Sequence, residues 1–348
     1  MMSAPGGDEA ENRDLANARA GLRGHAAVCG AVGGVLCISA SVAGYLSVTG
    51  LAVLDMFLDI ASFFRLQLLI ASIACAALLC MDLKRRRLWL VFPAVALVIN
   101  AGEVLPWHAE GEATPCSGPR LVVCVANVLR PSRQRDAFVP FVRRLNPDVL
   151  AVLETNAAWE EALEPLRDTY PYVVKQPDRH TNYGMLLFSR LPPAASAPER
   201  PGLGLPRCRR VDVEWEGRAV RIIAAHPFPP ADPARFRLRN LQLRTIGRSI
   251  RGTDVPALVI GDLNTPMFSR YYKGMVEEGG LMNSRQGRGL LATCPSALPS
   301  FLRIPLDHIL HSPHFRTCDC TVLPIPGSDH MALVAELAWR GDRSSAGE

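Results

Sequence analysis

ALVIGDLNTP, residues 257–266, decides how the rest of the chain is read. Four apolar residues end in Gly261-Asp262-Leu263-Asn264, the pattern of a buried strand whose last turn delivers a carboxylate and an amide into a cleft. Open α/β sheets place their chemistry on such strand-end loops. Working outward, RAVRIIAAH (218–226) is a strand ending on His226, and residues 233–250 form a helix between the two. RRVDVEW (209–215) precedes them, while LDHILHS (306–312) and MALVAELAW (331–339) supply the last strands. Upstream, LVVCVAN (121–127), VLAVLET (149–155) and GMLLFS (184–189) are strands, the last preceded by the segment YPYVV, with helices over 134–146 and 157–167 and a Pro-rich loop at 191–206. This mixture predicts an α/β fold, a four-layer sandwich of two packed β-sheets with outer helices.

The N-terminal third has a different composition. Residues 1–25 are polar and of mixed charge without an apolar period, which predicts a disordered tail. Residues 26–48 carry no charge and are long enough to cross a bilayer. Residues 51–64 are apolar but hold Asp55 and Asp59 four apart on one helical face, which predicts an interfacial or loop helix. Further uncharged runs place spans near 64–82 and 88–104, the last with Trp89 as an interfacial anchor and Pro93 inside it. Three transmembrane helices thus precede a Pro-, Gly- and acid-rich linker at 105–118, a catalytic domain at 119–340 and a tail at 341–348. Lys84-Arg85-Arg86-Arg87, a short basic loop, stays on the cytoplasmic side. The N-terminus is then inside, and everything after residue 104 lies across the membrane.

Charge and cysteines bound the partners loosely. Lys and Arg balance Asp and Glu before residue 106, so the net +5 belongs to the C-terminal part. That surplus suits an anionic substrate without demanding nucleic acid. The basic groups Arg207, Arg209 and Arg210, and Arg235, Arg237 and Arg239, are set among ample acid. Six of ten cysteines lie outside the proposed spans, an even number that permits disulfides without assigning pairs. Cys318-Asp319-Cys320 lacks the spacing of a zinc knuckle.

Strand ends carry the remaining signal: Asn127, Glu154, Asp262, Asn264 and Asp307, with Asp329-His330 just before the last strand. A lone Asn or Asp there is ordinarily a turn or helix cap. Glu154 is harder to dismiss, because a carboxylate against an apolar strand is costly unless it meets a cation. Oxygen-rich sets of this kind suit Mg²⁺ or Mn²⁺.

Taken in order, Asn127, Leu153-Glu154, His226, GDLN at 261–264, LDH at 306–308 and SDH at 328–330 resemble the endonuclease/exonuclease/phosphatase superfamily of metal-dependent phosphoesterases. With the N-terminal helices, the resemblance is to its bacterial membrane-attached members. It implies that Glu154, Asn127 and Asp329 hold the metal, Mg²⁺ or Mn²⁺. By the same resemblance Asp262 activates water, Asn264 holds phosphate, and His330, oriented by Asp307, contacts the phosphate alongside His226. Asn182 and Tyr183 fall where the family places substrate-side polar groups, and Arg303 is a further candidate for phosphate.

The implied function is a membrane-tethered, divalent-metal-dependent phosphodiester hydrolase, in the first instance a nuclease. The alternatives are a lipid-headgroup or small-molecule phosphoesterase and a catalytically inactive, membrane-tethered binding module. Expected partners are a phosphodiester substrate, nucleic acid or phospholipid, and the bilayer; no obligate protein partner is predicted. The expected location is the bacterial inner membrane, multi-pass, with the catalytic domain on the extracytoplasmic side.

Overall fold

The computed structural model describes residues 7–48, 50–82, 86–109, 116, 118–176, 184–195 and 207–340. The chain divides into two compact units, Met1–Ser47 with Leu58–Leu105, and Val48–Phe57 with Pro106–Glu348.

The first unit is helical. Its helices give three segments long and apolar enough to cross a membrane: Leu15–Ala43, Ala52–Cys80 and Arg87–Trp107. Two boundaries differ from the sequence reading. The tail expected to be disordered is helical from Gly7, because the helix runs unbroken over Gly7–Ala43. Ala, Leu, Glu and Arg in that stretch favour helix, and propagation from an existing helix avoids the cost of a new nucleus. The second segment also starts earlier than expected. The helix Ala52–Ala61 passes through a 3₁₀ turn at Ser62–Phe64 directly into the helix Arg65–Cys80.

Asp55, four residues before Asp59, is buried rather than facing water. It accepts from Val48 N at 3.0 Å and from Arg270 Nη2 at 2.6 Å, and it also accepts from the Tyr271 hydroxyl. Val48–Phe57 thereby belongs with the second unit.

The second unit contains eleven described strands: β1 Leu121–Asn127, β2 Val149–Thr155, β3 Tyr172–Gln176, β4 Gly184–Ser189, β5 Cys208–Trp215, β6 Arg218–Ala225, β7 Ala257–Asp262, β8 Met282–Asn283, β9 Asp307–His311, β10 Phe315–Pro324 and β11 Met331–Trp339. They form two mixed sheets, ordered β10-β11-β1-β2-β4-β3 and β5-β6-β7-β9-β8. Alternate residues of one strand face opposite ways. Val123 and Val125 therefore join Ile222, Leu258, Ile260 and Ile309 in the core between the sheets. Cys124 and Ala126 of the same strand pack outward with Phe138, Val142 and Trp159 of the covering helices. Burial on both faces explains why β1, β2 and β7 read as continuous apolar runs, and the expected four-layer sandwich is the observed one.

β10 and the helix Arg270–Gly279 escaped the sequence reading. β10 is an edge strand with Arg316 and Asp319 on it, so it lacks the apolar run of its neighbours. Cys116 and Cys318 form a disulfide, which ties the segment read as a linker to β10. At its other end Trp107 O accepts from Gly289 N at 2.7 Å.

Candidate active site

Strand direction gathers the polar residues at one end of the sandwich. β1 and β2 are parallel, so Asn127 and Glu154 emerge on the same side. β6 and β7 are also parallel, which places His226 and Asp262 together. β9 runs against β7 with Asp307 opposite Asp262, and β11 runs against β1, so Asp307 and His330 enter from that same end.

Local backbone then aims the side chains. Glu154 has φ of 61° at an irregularity in the β2–β4 pairing, and Asn264 has φ of 51°. Left-handed non-glycine residues carry strain that the surrounding structure must hold. Glycines let the neighbouring strands close on both acids. A Cβ at Gly184 would lie 2.1 Å from Thr155 O, and one at Gly261, with φ of 145°, would lie 1.8 Å from Ala225 O.

The side chains form a connected line. Asn127 Nδ2 donates to Glu154 Oε1 and to Asp262 Oδ2, each at 3.1 Å, so the two carboxylates lie within twice that distance. Asp262 Oδ1 accepts from Asn264 N at 2.9 Å. Asp262 Oδ2 lies 3.7 Å from His226 Nε2 and 3.9 Å from His330 Nε2. His330 Nδ1 is 2.8 Å from Asp307 Oδ2.

Burial governs the electrostatics. It pushes the Asp262 carboxyl up, and the facing Asp307 charge adds to the effect. Burial works the same way on Asp307, but the His330 ring against it outweighs this and holds its carboxyl below the usual range. Of two adjacent acids, Asp262 is thus the more basic. Burial opposes a charge on His330, yet Asp307 and then Cys294 and Asp262 outweigh it and raise its pKa strongly. His226 goes the other way, down to about 3, through burial and the Arg207 and His330 charges. Glu154 is raised by burial, against the pull of Asn127 and His330.

The structure brings together Asn127, Glu154, His226, Asp262, Asn264, Asp307 and His330, with the exposed Asp329 beside them. Asn182 and Tyr183 lie outside the described residues. Arg303 donates to Leu298 O at 2.7 Å and Ser296 O at 2.9 Å, which fastens its own loop. Asn127 points its amide nitrogen, not its oxygen, at the two carboxylates; its Oδ1 accepts from Leu129 N at 3.2 Å. It therefore orients Glu154 and Asp262, and a cation at Glu154 would meet carboxylate oxygens and water. Those hard donors fit Mg²⁺ or Mn²⁺.

Several supporting residues carried no signal in the sequence. Ser328 Oγ donates to Asn127 O at 2.6 Å and accepts from His330 N at 3.0 Å. The buried Arg285 donates to Asp307 O at 2.5 Å, and the buried Arg239 donates to Asn264 O at 3.1 Å. Cys294 stands next to Asp329 and His330. Only Ser328, in the SDH triplet, was within reach of a motif.

Residues 124–330 match the Endonuclease/Exonuclease/phosphatase family, and the chain belongs to it. Solved structures with the same fold include D. rerio TDP2 complexed with single strand DNA product, at 15% identity and TM-score 0.52, covering 64% of this chain and 100% of that one. An AP endonuclease from Archaeoglobus fulgidus matches at 20% identity and TM-score 0.51, covering 64% of this chain and 100% of that one. No curated protein matches the chain.

Proposed function

We propose that the chain is a divalent-metal-dependent phosphodiester hydrolase, in the first instance a nuclease, tethered to a membrane by its N-terminal helices. The observation that carries this reading is the line Glu154–Asn127–Asp262–His330–Asp307, which joins the ends of both sheets. A phosphodiester is anionic, so its hydrolysis needs positive charge on the non-bridging oxygens and an oriented water. A Mg²⁺ or Mn²⁺ ion held by Glu154, with Asp329 nearby, supplies Lewis-acid neutralisation of phosphate charge when bound.

The chain's own residues do the rest. Asp262, the more basic acid, accepts the proton of water, while the backbone N–H of Asn264 keeps its carboxylate turned. His330 faces the charge developing on the phosphate as an imidazolium whose Nδ1–H donates to Asp307 Oδ2. His226, neutral, can donate or accept a hydrogen bond without adding charge, and Asn264 retains an N–H for phosphate after donating one to Pro227 O at 3.0 Å.

One structural neighbour holds a single strand DNA product and another is an AP endonuclease, which favours a nuclease. Many of the basic groups are already engaged. Arg207 stacks over Phe228, Arg210 and Arg221 pair with Asp212, and Arg239 is buried. Recognition over a few nucleotides fits this better than a long duplex track. A lipid-headgroup phosphodiester is the second reading. It rests on Leu298, Phe301 and Leu302, exposed apolar residues in the loop that also carries Cys294.

Membrane placement has its own support. The Asp55–Arg270 pair supports a topology in which 48–57 and the chain after 106 share a face. Two crossings between them, by residues 58–80 and the helix after Arg87, satisfy that. With Lys84–Arg87 held inside, this face is extracytoplasmic, where the Cys116–Cys318 disulfide is stable.

The test is release from bis-p-nitrophenyl phosphate, DNA, RNA and phospholipid by the detergent-solubilised chain with Mg²⁺ or Mn²⁺. Glu154→Ala and Asp262→Asn should each lower the rate by on the order of 10³-fold without lowering the unfolding temperature. Near-wild-type rates in either variant across both metal titrations reject the assignment, and no release from any substrate favours the inactive binding module.

A further inference from the structure

Beside the oxygen-rich end of Glu154, a second donor set has different chemistry. Cys294 Sγ, a carboxylate oxygen of Asp329 and a ring nitrogen of His330 all lie within 4.8 Å of one another. His330 Nδ1 is engaged by Asp307, so Nε2 is the nitrogen left to face an ion. The backbone holds this arrangement firmly. Cys294 exchanges hydrogen bonds with Ile304, N to O at 3.1 Å and O to N at 2.6 Å. Ser296 N donates to Asp329 O at 2.6 Å, and Met331 N donates to Thr293 O at 2.9 Å, so the cysteine loop is stitched to the segment bearing Asp329 and His330. Asp329 is exposed and Cys294 half-buried, which leaves a way in from solvent.

Sulfur, imidazole and one carboxylate make a borderline-soft set. Zn²⁺ takes such ligands in tetrahedral sites, with three from the protein and an open fourth position where the site is not closed. Mg²⁺ avoids thiolate. We propose that Cys294, Asp329 and His330 form a binding site for a thiophilic divalent ion of the zinc class, separate in ligand hardness from the oxygen site at Glu154.

Binding is written as exchange of protons for metal. The Cys294 thiol releases its proton to solvent as Sγ bonds to the ion. His330 releases the Nε2 proton and donates that lone pair, keeping Nδ1–H on Asp307. No electrons change hands. Two consequences follow. Asp329 is offered to both kinds of ion, so they compete. An ion on His330 Nε2 occupies the ring nitrogen that lies 3.9 Å from Asp262 Oδ2, so zinc inhibits phosphodiester hydrolysis; this second consequence rests on the proposed function, whereas metal binding does not.

The experiment uses Co²⁺ as a spectroscopic stand-in for Zn²⁺ on the full chain in detergent. A thiolate-to-cobalt charge-transfer band should appear on titration, disappear when Zn²⁺ is added, and be absent in Cys294→Ser. Asp329→Ala, at an exposed position, should keep the band while weakening cobalt binding about tenfold or more. In parallel, the zinc concentration that halves the hydrolysis rate should rise at least tenfold in Cys294→Ser relative to that variant's own uninhibited rate. A band that never forms, or that persists unchanged in Cys294→Ser, overturns the site. A Cys294-dependent band in a chain that hydrolyses no phosphodiester upholds the site and removes the proposed function alone.

Discussion

Both units of this chain bury a charged polar cluster, and the two clusters end differently. In the helical unit, Ser41, Arg65 and Asn100 are fully buried. Arg65 Nη1 donates to Ser41 O at 2.7 Å and to Asn100 Oδ1 at 3.3 Å, while Asn100 Nδ2 donates to Ser41 Oγ and Ala96 O at 2.7 Å each. The Arg65 guanidinium meets oxygens from two other helices. In the second unit, the four acids Glu154, Asp262, Asp307 and Asp329 outnumber the two basic groups beside them, His330 and the buried Arg285. That cluster carries surplus negative charge. Hydrogen bonds between buried polar groups of an apolar bundle fix which helices meet; a surplus of carboxylate at the end of a sandwich calls for a cation from outside.

The sharpest way to break this contrast is Asp307→Asn. An amide no longer holds His330 as an imidazolium, so kcat should fall about 10²- to 10⁴-fold with metal affinity, read by calorimetry, unchanged. Unaltered turnover would mean that His330 is merely another closed structural contact. Next in size is the response to acid. Burial takes His308 down to about 3 and His311 to about 4, from an ordinary 6.5. The unfolded chain then takes up protons first. The stability these rings contribute is whole above pH 6.5 and falls as pH drops toward 4, by up to about 1.4 kcal/mol per pH unit for each. Urea unfolding of the catalytic unit's tryptophans at pH 7 and pH 5 reads this directly, and stability that rises on acidification contradicts it. The smallest effect is expected from Asn100→Leu, which should cost about 1–2 kcal/mol in thermal unfolding of the detergent-solubilised chain. Hydrolysis should stay within a factor of two. A large loss of hydrolysis would show that the two clusters are coupled.

Much of this was readable from residue order. Strands buried on both faces appear as apolar runs, so a polar residue at the end of one, such as Asn127, Glu154 or Asp262, stands out against its background. β10 did not, because an edge strand tolerates Arg316 and Asp319. Asp55 looked like a residue for an interface or loop because its helical face was visible and its partners were not; Arg270 and Tyr271 lie 215 and 216 residues away. Cys294 looked like any other cysteine, since nothing local to it signals a neighbouring histidine 36 residues further on.

The sequence by itself determined the apolar core strands, the three apolar helices and the roster of acids and histidines at strand ends, because hydrophobic periodicity is a local property of the chain. Only the tertiary structure decided that Asn127 turns its nitrogen to two carboxylates, that Asp262 and Asp307 shift in opposite directions, and that Val48–Phe57 belongs with the catalytic unit. Each depends on the register between strands or on contacts across long separations. Charge and hydrogen-bond energies change over a few ångströms, a distance that residue order does not encode.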